Sequence, residues 1–392
     1  MPLPNQTQLS DLRGTAQVAV DAVQGIADLV EDMHRTIQLL PGPLGPANTQ
    51  RTRGITGLVY RSVRGIAGLV GKGMDLGLAP LDEWLPDGLS SPGQDAFRSA
   101  INGICGDYLA RTQNPLALDM TLRFQGRPVD IEKPLALVNG AQVPKKIVVF
   151  VHGLCLNDSH WERDGHNHGS RLSEDLGCLS LYLRYNTGLS IAENGRELAG
   201  VLERLFSEWK SPSTELDIVG HSMGGLVARS ACHQAQQLGH DWPRRHKRLV
   251  FLGTPHQGTP LDRAGHGLDA LLSVSPYLAP FMRLGSARSQ GIMDLRHGVV
   301  TSSGRTHVPL PRNVCSYTVA ALKAADSSTL SKRFVGDGLV PLNSALGRHR
   351  DARRSLVIPK ERQFISHQTG HLQILSNEKV YQRLSVWLDQ PA

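Results

Sequence analysis

The sequence has few aromatic residues and few cysteines. Phe, Trp and Tyr make up 5% of its 392 residues. They are not arranged to stack on bases, so we expect no nucleic-acid partner. The five cysteines are odd in number and contain no Cys-x-x-Cys pair, which argues against a disulfide framework and favours a reducing compartment. The net charge of +7 is moderately basic and favours anionic surfaces, including membranes.

Long apolar runs and a targeting pattern are also missing. No run approaches the roughly 18 apolar residues of a membrane-spanning helix. The first residues, MPLPNQTQLSDLRG, lack the basic-then-apolar order of a signal peptide. We therefore expect a cytoplasmic protein, and attachment to a membrane face stays open. The composition, 40% hydrophobic and 20% charged, is that of a globular chain of one or two domains.

Residues 1–120 differ from the rest and are predicted to form a helical N-terminal extension. Apolar residues recur at helical spacing in 16–40 and in 52–78, on either side of a Pro/Gly-rich break. The simplest interpretation is that these helices pack on the catalytic domain or on a second subunit. The alternative is a basic amphipathic surface that makes peripheral contact with anionic lipid. The sequence leaves the oligomeric state unknown.

From residue 121 onward, apolar runs of strand length alternate with helical patterns. This alternation predicts an α/β domain over 121–392, with a mostly parallel sheet and helices on both faces. A hairpin is predicted around Gln125-Gly126, and a closing helix with Asn377 near its cap. The predicted strands are KKIVVFVHG, LSLYLRYN, ELDIVG, RLVFLGTPHQGTP, NVCSYTVAA and RSLVIP. The alternation lapses at 261–312, which we interpret as a cap- or lid-like insertion over the active site.

One serine stands in a setting that a surface loop does not need. The run LDIVGHSMGGLVARSA passes from a buried strand through Gly-His-Ser-Met-Gly-Gly into an alanine-rich helical pattern. Gly-x-Ser-x-Gly between a strand and a helix is the pattern of a nucleophile elbow. Gly220 and Gly224 leave room for the sharp bend. Because a hydroxyl is a weak nucleophile, it must be exposed and paired with a base, so this setting predicts Ser222 as the nucleophile.

The acid and the base should follow the serine in the chain order Ser, acid, His. In ISHQTGHLQIL the preferred base is His371, and His367 is its rival in the same segment. The preferred acid is Asp337 of VGDGLVP, although Asp-Gly is also a common turn pair. Asp326 and Asp351 are the alternative acids.

The oxyanion hole is predicted at two backbone N–H groups, those of Leu154 and Met223. Leu154 follows the strand that ends in His-Gly, and Met223 follows the candidate nucleophile. Gly153 permits the close approach that such a hole needs. His152 is interpreted as a structural histidine bonded to the backbone.

Six segments, taken in order, resemble an α/β-hydrolase of the bacterial lipase/esterase type. They are HGLCLND with the Trp that follows, LRYNTGLSIAENGRELAGVLE, GHSMGG, GTPHQGTP, GDGLVP and GHLQIL. They are most similar to triacylglycerol lipases and to the PGAP1-like and DUF676-like serine esterases, over about 145–390. The resemblance implies the α/β-hydrolase fold and hydrolysis of carboxylic esters with a fairly apolar acyl chain. It implies catalytic roles for Ser222, Asp337 and His371, with Leu154 and Met223 as oxyanion donors.

Two other groups of histidines carry weaker signals. HWERDGHNHG offers four metal-ligating side chains, namely His160, Asp164, His166 and His168. No HExxH or CxxC pattern supports them, so we expect no metal and no cofactor. His256 in GTPHQGT matches a segment near the active site of the lipases named above, and it is interpreted as structural.

Two classes of function remain. The first is a serine esterase or lipase that acts on a small-molecule ester or lipid. Thioesterase, acyltransferase and amidase activities need the same triad, and the sequence does not distinguish them from ester hydrolysis. The second is a non-catalytic hydrolase fold that binds lipid or a partner through the N-terminal helices. The presence of Ser222, Asp337 and His371 together argues for the first class.

Overall fold

The computed structural model describes residues 14, 92–134, 143–209, 211–259, 289–303, 308–324 and 336–390. The predicted amphipathic helices of the N-terminal extension lie outside these ranges, as does most of the predicted cap insertion. One compact unit comprises 92–110 and 117–392, and a second comprises 1–91 and 111–116. The predicted domain boundary at residue 120 stays a prediction. No helix within the described ranges is long and apolar enough to cross a membrane.

Eight strands form one sheet with the order β2-β1-β4-β3-β5-β6-β7-β8. Strand β1 pairs antiparallel with β2 and β4, and the other neighbours pair in parallel. The strands are β1 (Thr121–Phe124), β2 (Arg127–Pro128), β3 (Lys146–Val151), β4 (Leu179–Arg184), β5 (Glu215–His221), β6 (His246–Leu252), β7 (Cys315–Leu322) and β8 (Gln363–His367). This mostly parallel sheet with an antiparallel edge is the α/β-hydrolase fold, which confirms the predicted fold class.

Helices cover both faces of the sheet. They are α1 (Pro92–Arg111), α2 (His168–Leu176), α3 (Ile191–Glu208), α4 (Met223–Leu238), α5 (Gln290–His297), α6 (Leu342–Ala345) and α7 (Glu378–Asp389). The buried side chains of α3 and α4 share one core with Ile147 and Val149 of β3. Those of α2 and α7 share the other core with Val148 and Phe150. Successive β3 residues therefore enter opposite cores, which explains the continuous apolar run.

Local sequence signals set several of these boundaries. Gln125 and Gly126 both have positive φ, 48° and 76°, which is the type I′ turn of the predicted hairpin. Asn377 caps α7 by accepting hydrogen bonds from two backbone N–H groups of its first turn. Helix α3 begins at Ile191, because Ser190 and Glu193 form a capping box at its start.

One predicted strand is wrong. Of residues 354–359, RSLVIP, Arg354 ends one short 3₁₀ turn and the rest lie before a second one, and the eighth strand is instead Gln363–His367. Leu356 and Ile358 are both buried, as a strand pattern would require. However, the Leu356 N–H donates to the carbonyl of Gly347, and the Ile358 N–H donates to the carbonyl of Leu356. These backbone groups therefore bond within the loop and not to a neighbouring strand. The proline that ends the segment lacks the N–H that a continuing strand would use.

Among the described residues, five histidine side chains besides His371 are buried: His152, His168, His221, His246 and His256. Burial lowers the pKa of His168 and His246 to about 4, because the charged imidazolium would lose its hydration. The same cause lowers the pKa of His152 to about 3. It also holds the pKa values of His221 and His256 well below their usual range. All five are neutral at pH 7.

We expect stability to fall as the pH drops from about 6.5 towards 4. Unfolded histidines take up protons in this window and the buried ones do not, so the unfolded state binds more protons. His246→Gln should reduce the slope of the unfolding free energy by up to about 1.4 kcal/mol per pH unit. Urea unfolding at several pH values measures both slopes. Equal slopes for the variant and the wild type would contradict this prediction.

Candidate active site

Ser222 is the single residue between β5, which ends at His221, and α4, which begins at Met223. Its backbone has φ 54° and ψ −124°, a conformation that residues other than glycine rarely adopt. The Ser222 N–H donates to the carbonyl of Leu252 at the end of β6, at 2.8 Å. The strained turn thus holds the serine at the carboxyl end of the central strands, where open α/β sheets place their sites.

The glycines around the serine are required by close backbone contacts. A Cβ added to Gly220 would lie 2.5 Å from the Cα of Gly225. A Cβ added to Gly224 would lie 2.1 Å from the carbonyl oxygen of Val151, at the end of β3. Both distances are far below van der Waals contact. The start of α4 therefore packs directly against the end of β5, which precedes it in the chain, and against the end of β3.

Gly224→Ala is expected to destabilise the fold by about 1–3 kcal/mol, because the new methyl group would collide with the backbone carbonyl of Val151. Gly200→Ala is the matched control. Gly200 lies within α3 and an added Cβ there meets nothing within 4 Å. That substitution should stabilise the helix by up to about 1 kcal/mol. Urea unfolding compares the two, and shifts of the same sign would contradict the packing described for the elbow.

Asp337 and His371 are hydrogen-bonded to each other. His371 Nδ1 donates to Asp337 Oδ2 at 2.6 Å. The other carboxylate oxygen, Oδ1, accepts from the N–H groups of Leu339 at 2.9 Å and Val340 at 2.8 Å. With only 1% of Asp337 exposed, its carboxylate is fixed in place. Because Nδ1 is the donor, Nε2 of His371 is the nitrogen left to accept a proton.

The rival residues are placed differently. Asp351 forms an exposed ion pair with Arg353 at 2.9 Å. His367 is an exposed residue at the end of β8. Asp326 lies outside the described residues. Among the described candidates, the structure pairs only Asp337 with His371.

Ser222 and His371 line the same pocket, which is partly open to solvent. Most of the other lining residues are apolar: Leu154, Leu156, Pro255, Leu295, Leu339, Val340 and Leu372. Leu295 comes from α5, directly after the undescribed part of the predicted cap. The pocket therefore places the Ser222 hydroxyl and the His371 imidazole, with Thr259 and His221 nearby, within a largely apolar wall, which suits an apolar substrate.

Two backbone N–H groups near Ser222 have no hydrogen-bond acceptor among the described residues. Met223 is the first residue of α4, and the N–H groups of a first helical turn have no partner within the helix. Leu154 lines the pocket, and no hydrogen bond among the described residues engages its N–H. A Cβ added to Gly153 would lie 3.0 Å from Ser222 Cβ, so the end of β3 touches the serine. This is the arrangement in which an oxyanion could be received.

Two buried histidines support the site. His152 Nδ1 donates to the carbonyl of Gly153 at 2.9 Å, which confirms the predicted backbone-bonded histidine. His221 was not singled out from sequence. Its Nε2 donates to the carbonyl of His371 at 3.2 Å, and the two rings lie 4.8 Å apart between centroids. The only sequence signal for this role was its place inside Gly-His-Ser.

Three other histidines named in the sequence analysis, His256, His166 and His168, have partners within the protein. His256 Nδ1 lies 3.4 Å from Nη1 of Arg229, a cation whose burial lowers its pKa to about 10. His166 Nε2 lies 2.7 Å from His168 Nδ1, and His168 Nε2 donates to the carbonyl of Ile374 at 2.9 Å. In the part of the chain that the structure describes, no group of three or more ligating side chains could hold a metal ion.

Residues 130–302 match a family described as a domain of unknown function, DUF7379. No curated protein matches the chain. Among solved structures, the mature lipase BlEst2 of Bacillus licheniformis is 19% identical, with 69% of this chain and 96% of that chain covered and a TM-score of 0.44. The lipase of Staphylococcus hyicus is 14% identical, with 64% and 98% covered and a TM-score of 0.39. The RedJ thioesterase of Streptomyces coelicolor is 17% identical, with 63% and 86% covered and a TM-score of 0.35.

Proposed function

We propose that this protein is a serine hydrolase that cleaves carboxylic esters with Ser222, His371 and Asp337. The observation that carries the proposal is the 2.6 Å hydrogen bond between His371 and the buried Asp337, beside the pocket that the strained Ser222 also lines. A base that is oriented by a carboxylate and shares a pocket with a serine hydroxyl is the arrangement of a catalytic triad.

In the proposed reaction, His371 Nε2 takes the proton of Ser222 Oγ as the oxygen attacks the ester carbonyl carbon. The N–H groups of Leu154 and Met223 receive the negative charge that develops on the carbonyl oxygen. The tetrahedral intermediate collapses, the imidazolium protonates the departing alcohol, and an acyl-enzyme remains. Water, deprotonated by the same imidazole, then attacks the acyl carbon. The bond to Ser222 Oγ breaks, the carboxylic acid leaves, and the imidazolium returns its proton to Oγ.

Asp337 has a defined part in this scheme. Its Oδ1 is held by two backbone N–H groups, so the carboxylate cannot turn away from the histidine. Its Oδ2 keeps the proton on Nδ1 of His371 and stabilises the imidazolium that forms during attack. An uncharged amide at this position would fit the same space but could hold the wrong tautomer.

The apolar pocket wall supports an ester with an apolar acyl chain. Thioesters, amides and acyl transfer to another acceptor use the same nucleophile and base, and they are the alternative reactions of this site. The apolar wall favours a lipidic ester, because each methylene of the acyl chain that is buried against leucine side chains stabilises the bound substrate.

Hydrolysis of p-nitrophenyl esters from acetate to palmitate tests the proposal. Ser222→Ala should lose the activity, and Asp337→Asn should lower kcat by about 10⁴-fold because the histidine is no longer held in the required tautomer. The chain-length optimum should lie beyond acetate, since the pocket wall is apolar.

Ser230→Ala is the matched control, because Ser230 is a buried serine of helix α4, which begins directly after Ser222. It should keep wild-type kcat. Full activity in Ser222→Ala would refute the proposed nucleophile, and an unaffected kcat in Asp337→Asn would refute the proposed acid.

A further inference from the structure

The segment that carries the Leu154 N–H is a turn of unusual type. We name residues 152–156 the oxyanion loop. The N–H of Leu156 donates to the carbonyl of Gly153 at 3.2 Å, which closes a four-residue turn. Its third residue, Cys155, has φ 61°, whereas Leu154 is not among the residues with positive φ, so the turn is of type II. A residue with a side chain disfavours this conformation, so the turn needs support from outside.

The support comes from the segment after β4, residues 185–188, which we name the β4 loop. The Tyr185 hydroxyl donates to the carbonyl of His152 at 2.8 Å. The Cys155 N–H donates to Thr187 Oγ1 at 3.1 Å. These two hydrogen bonds fall on the peptide units immediately before and after the one that contains the Leu154 N–H. The β4 loop is therefore hydrogen-bonded to the oxyanion loop on both sides of the Leu154 N–H, the group proposed to bind the oxyanion.

The β4 loop is itself rigidly held. The side chain of Asn186 donates to the carbonyl of Gly106 in α1 at 2.9 Å. Its backbone carbonyl accepts from the side chain of Asn194 in α3 at 3.0 Å. Tyr185 and Thr187 are each only 1% exposed. Because the loop is tied to two helices and excluded from water, it can impose a conformation on its neighbour.

We propose that Thr187, assisted by Tyr185, is a positioning residue of the oxyanion hole. By accepting the Cys155 N–H, Thr187 keeps Cys155 in its left-handed conformation and so keeps the Leu154 N–H beside Ser222. Without that acceptor, the turn relaxes towards the form that a cysteine prefers, and the N–H leaves its place. The inference rests on the proposed function, because Thr187 touches no substrate and acts through Leu154 alone.

The test compares Thr187→Val, which replaces the hydroxyl by a methyl group, with Thr187→Ser, which keeps the hydroxyl. The first readout is the second-order rate constant with which a fluorophosphonate, losing fluoride, phosphonylates Ser222. The second is kcat and KM for a p-nitrophenyl ester. Thr187→Val should lower the rate constant and kcat by about 10- to 100-fold, with KM changed by less than about twofold. Thr187→Ser should stay within about threefold of the wild type.

Thr214→Val is the matched control. Thr214 is also a buried threonine, whose hydroxyl donates to the carbonyl of Pro144 at 2.9 Å and accepts from Trp209 Nε1 at 2.9 Å. It lies just before β5, at the opposite end of that strand from Ser222. This variant should lower the midpoint of thermal unfolding and leave both rate constants unchanged. Should Thr187→Val not fold, Tyr185→Phe removes the other hydrogen bond and should lower the same two constants.

The outcomes separate the two proposals. Wild-type protein that is not phosphonylated at Ser222 overturns the proposed function, and this inference with it. Wild-type labelling with equal rate constants in Thr187→Val overturns the inference alone. The inference alone is also overturned if Thr187→Ser loses as much rate as Thr187→Val, or if the Thr214→Val control does.

Discussion

The contact of backbone with backbone at the elbow is the constraint on which the site depends. Ser222 adopts φ 54° because β5 must turn at once into α4, and α4 must start within contact of the end of β3. Only glycine fits at Gly220 and Gly224, since any Cβ there would collide with main-chain atoms. The same approach brings Gly153 against the serine. Ser222 and the oxyanion loop are thus positioned together by one packing requirement.

The parallel sheet supplies the other partners. Strands β7 and β8 run parallel to β5, so the segments after them emerge at the same edge as the elbow. Asp337 follows β7 and His371 follows β8, and their hydrogen bond links the two segments. His221 adds a second tie, because its ring donates to the backbone of His371. His371 is therefore held through its ring by the Asp337 carboxylate and through its backbone carbonyl by His221, the residue before Ser222.

Sequence patterns predicted what depends on local spacing. Strand-and-helix alternation gave the fold class, and Gly-x-Ser-x-Gly marked the turn at Ser222. The strand prediction for 354–359 failed because Leu356 and Ile358 are buried at alternate positions, as in a strand. Their N–H groups, however, form hydrogen bonds within a loop. Thr187 and His221 could not be found in this way. Their roles arise from hydrogen bonds to Cys155 and His371, residues 32 and 150 positions away, which no local period encodes.

The most direct measurement is mass spectrometry of the protein quenched during turnover of a p-nitrophenyl ester, with peptide mapping. The account predicts one acyl group per chain, attached at Ser222, and none in Ser222→Ala. Turnover with the acyl group on another residue would contradict it. So would turnover at the full rate with no acylation of Ser222 in protein that a fluorophosphonate also fails to label.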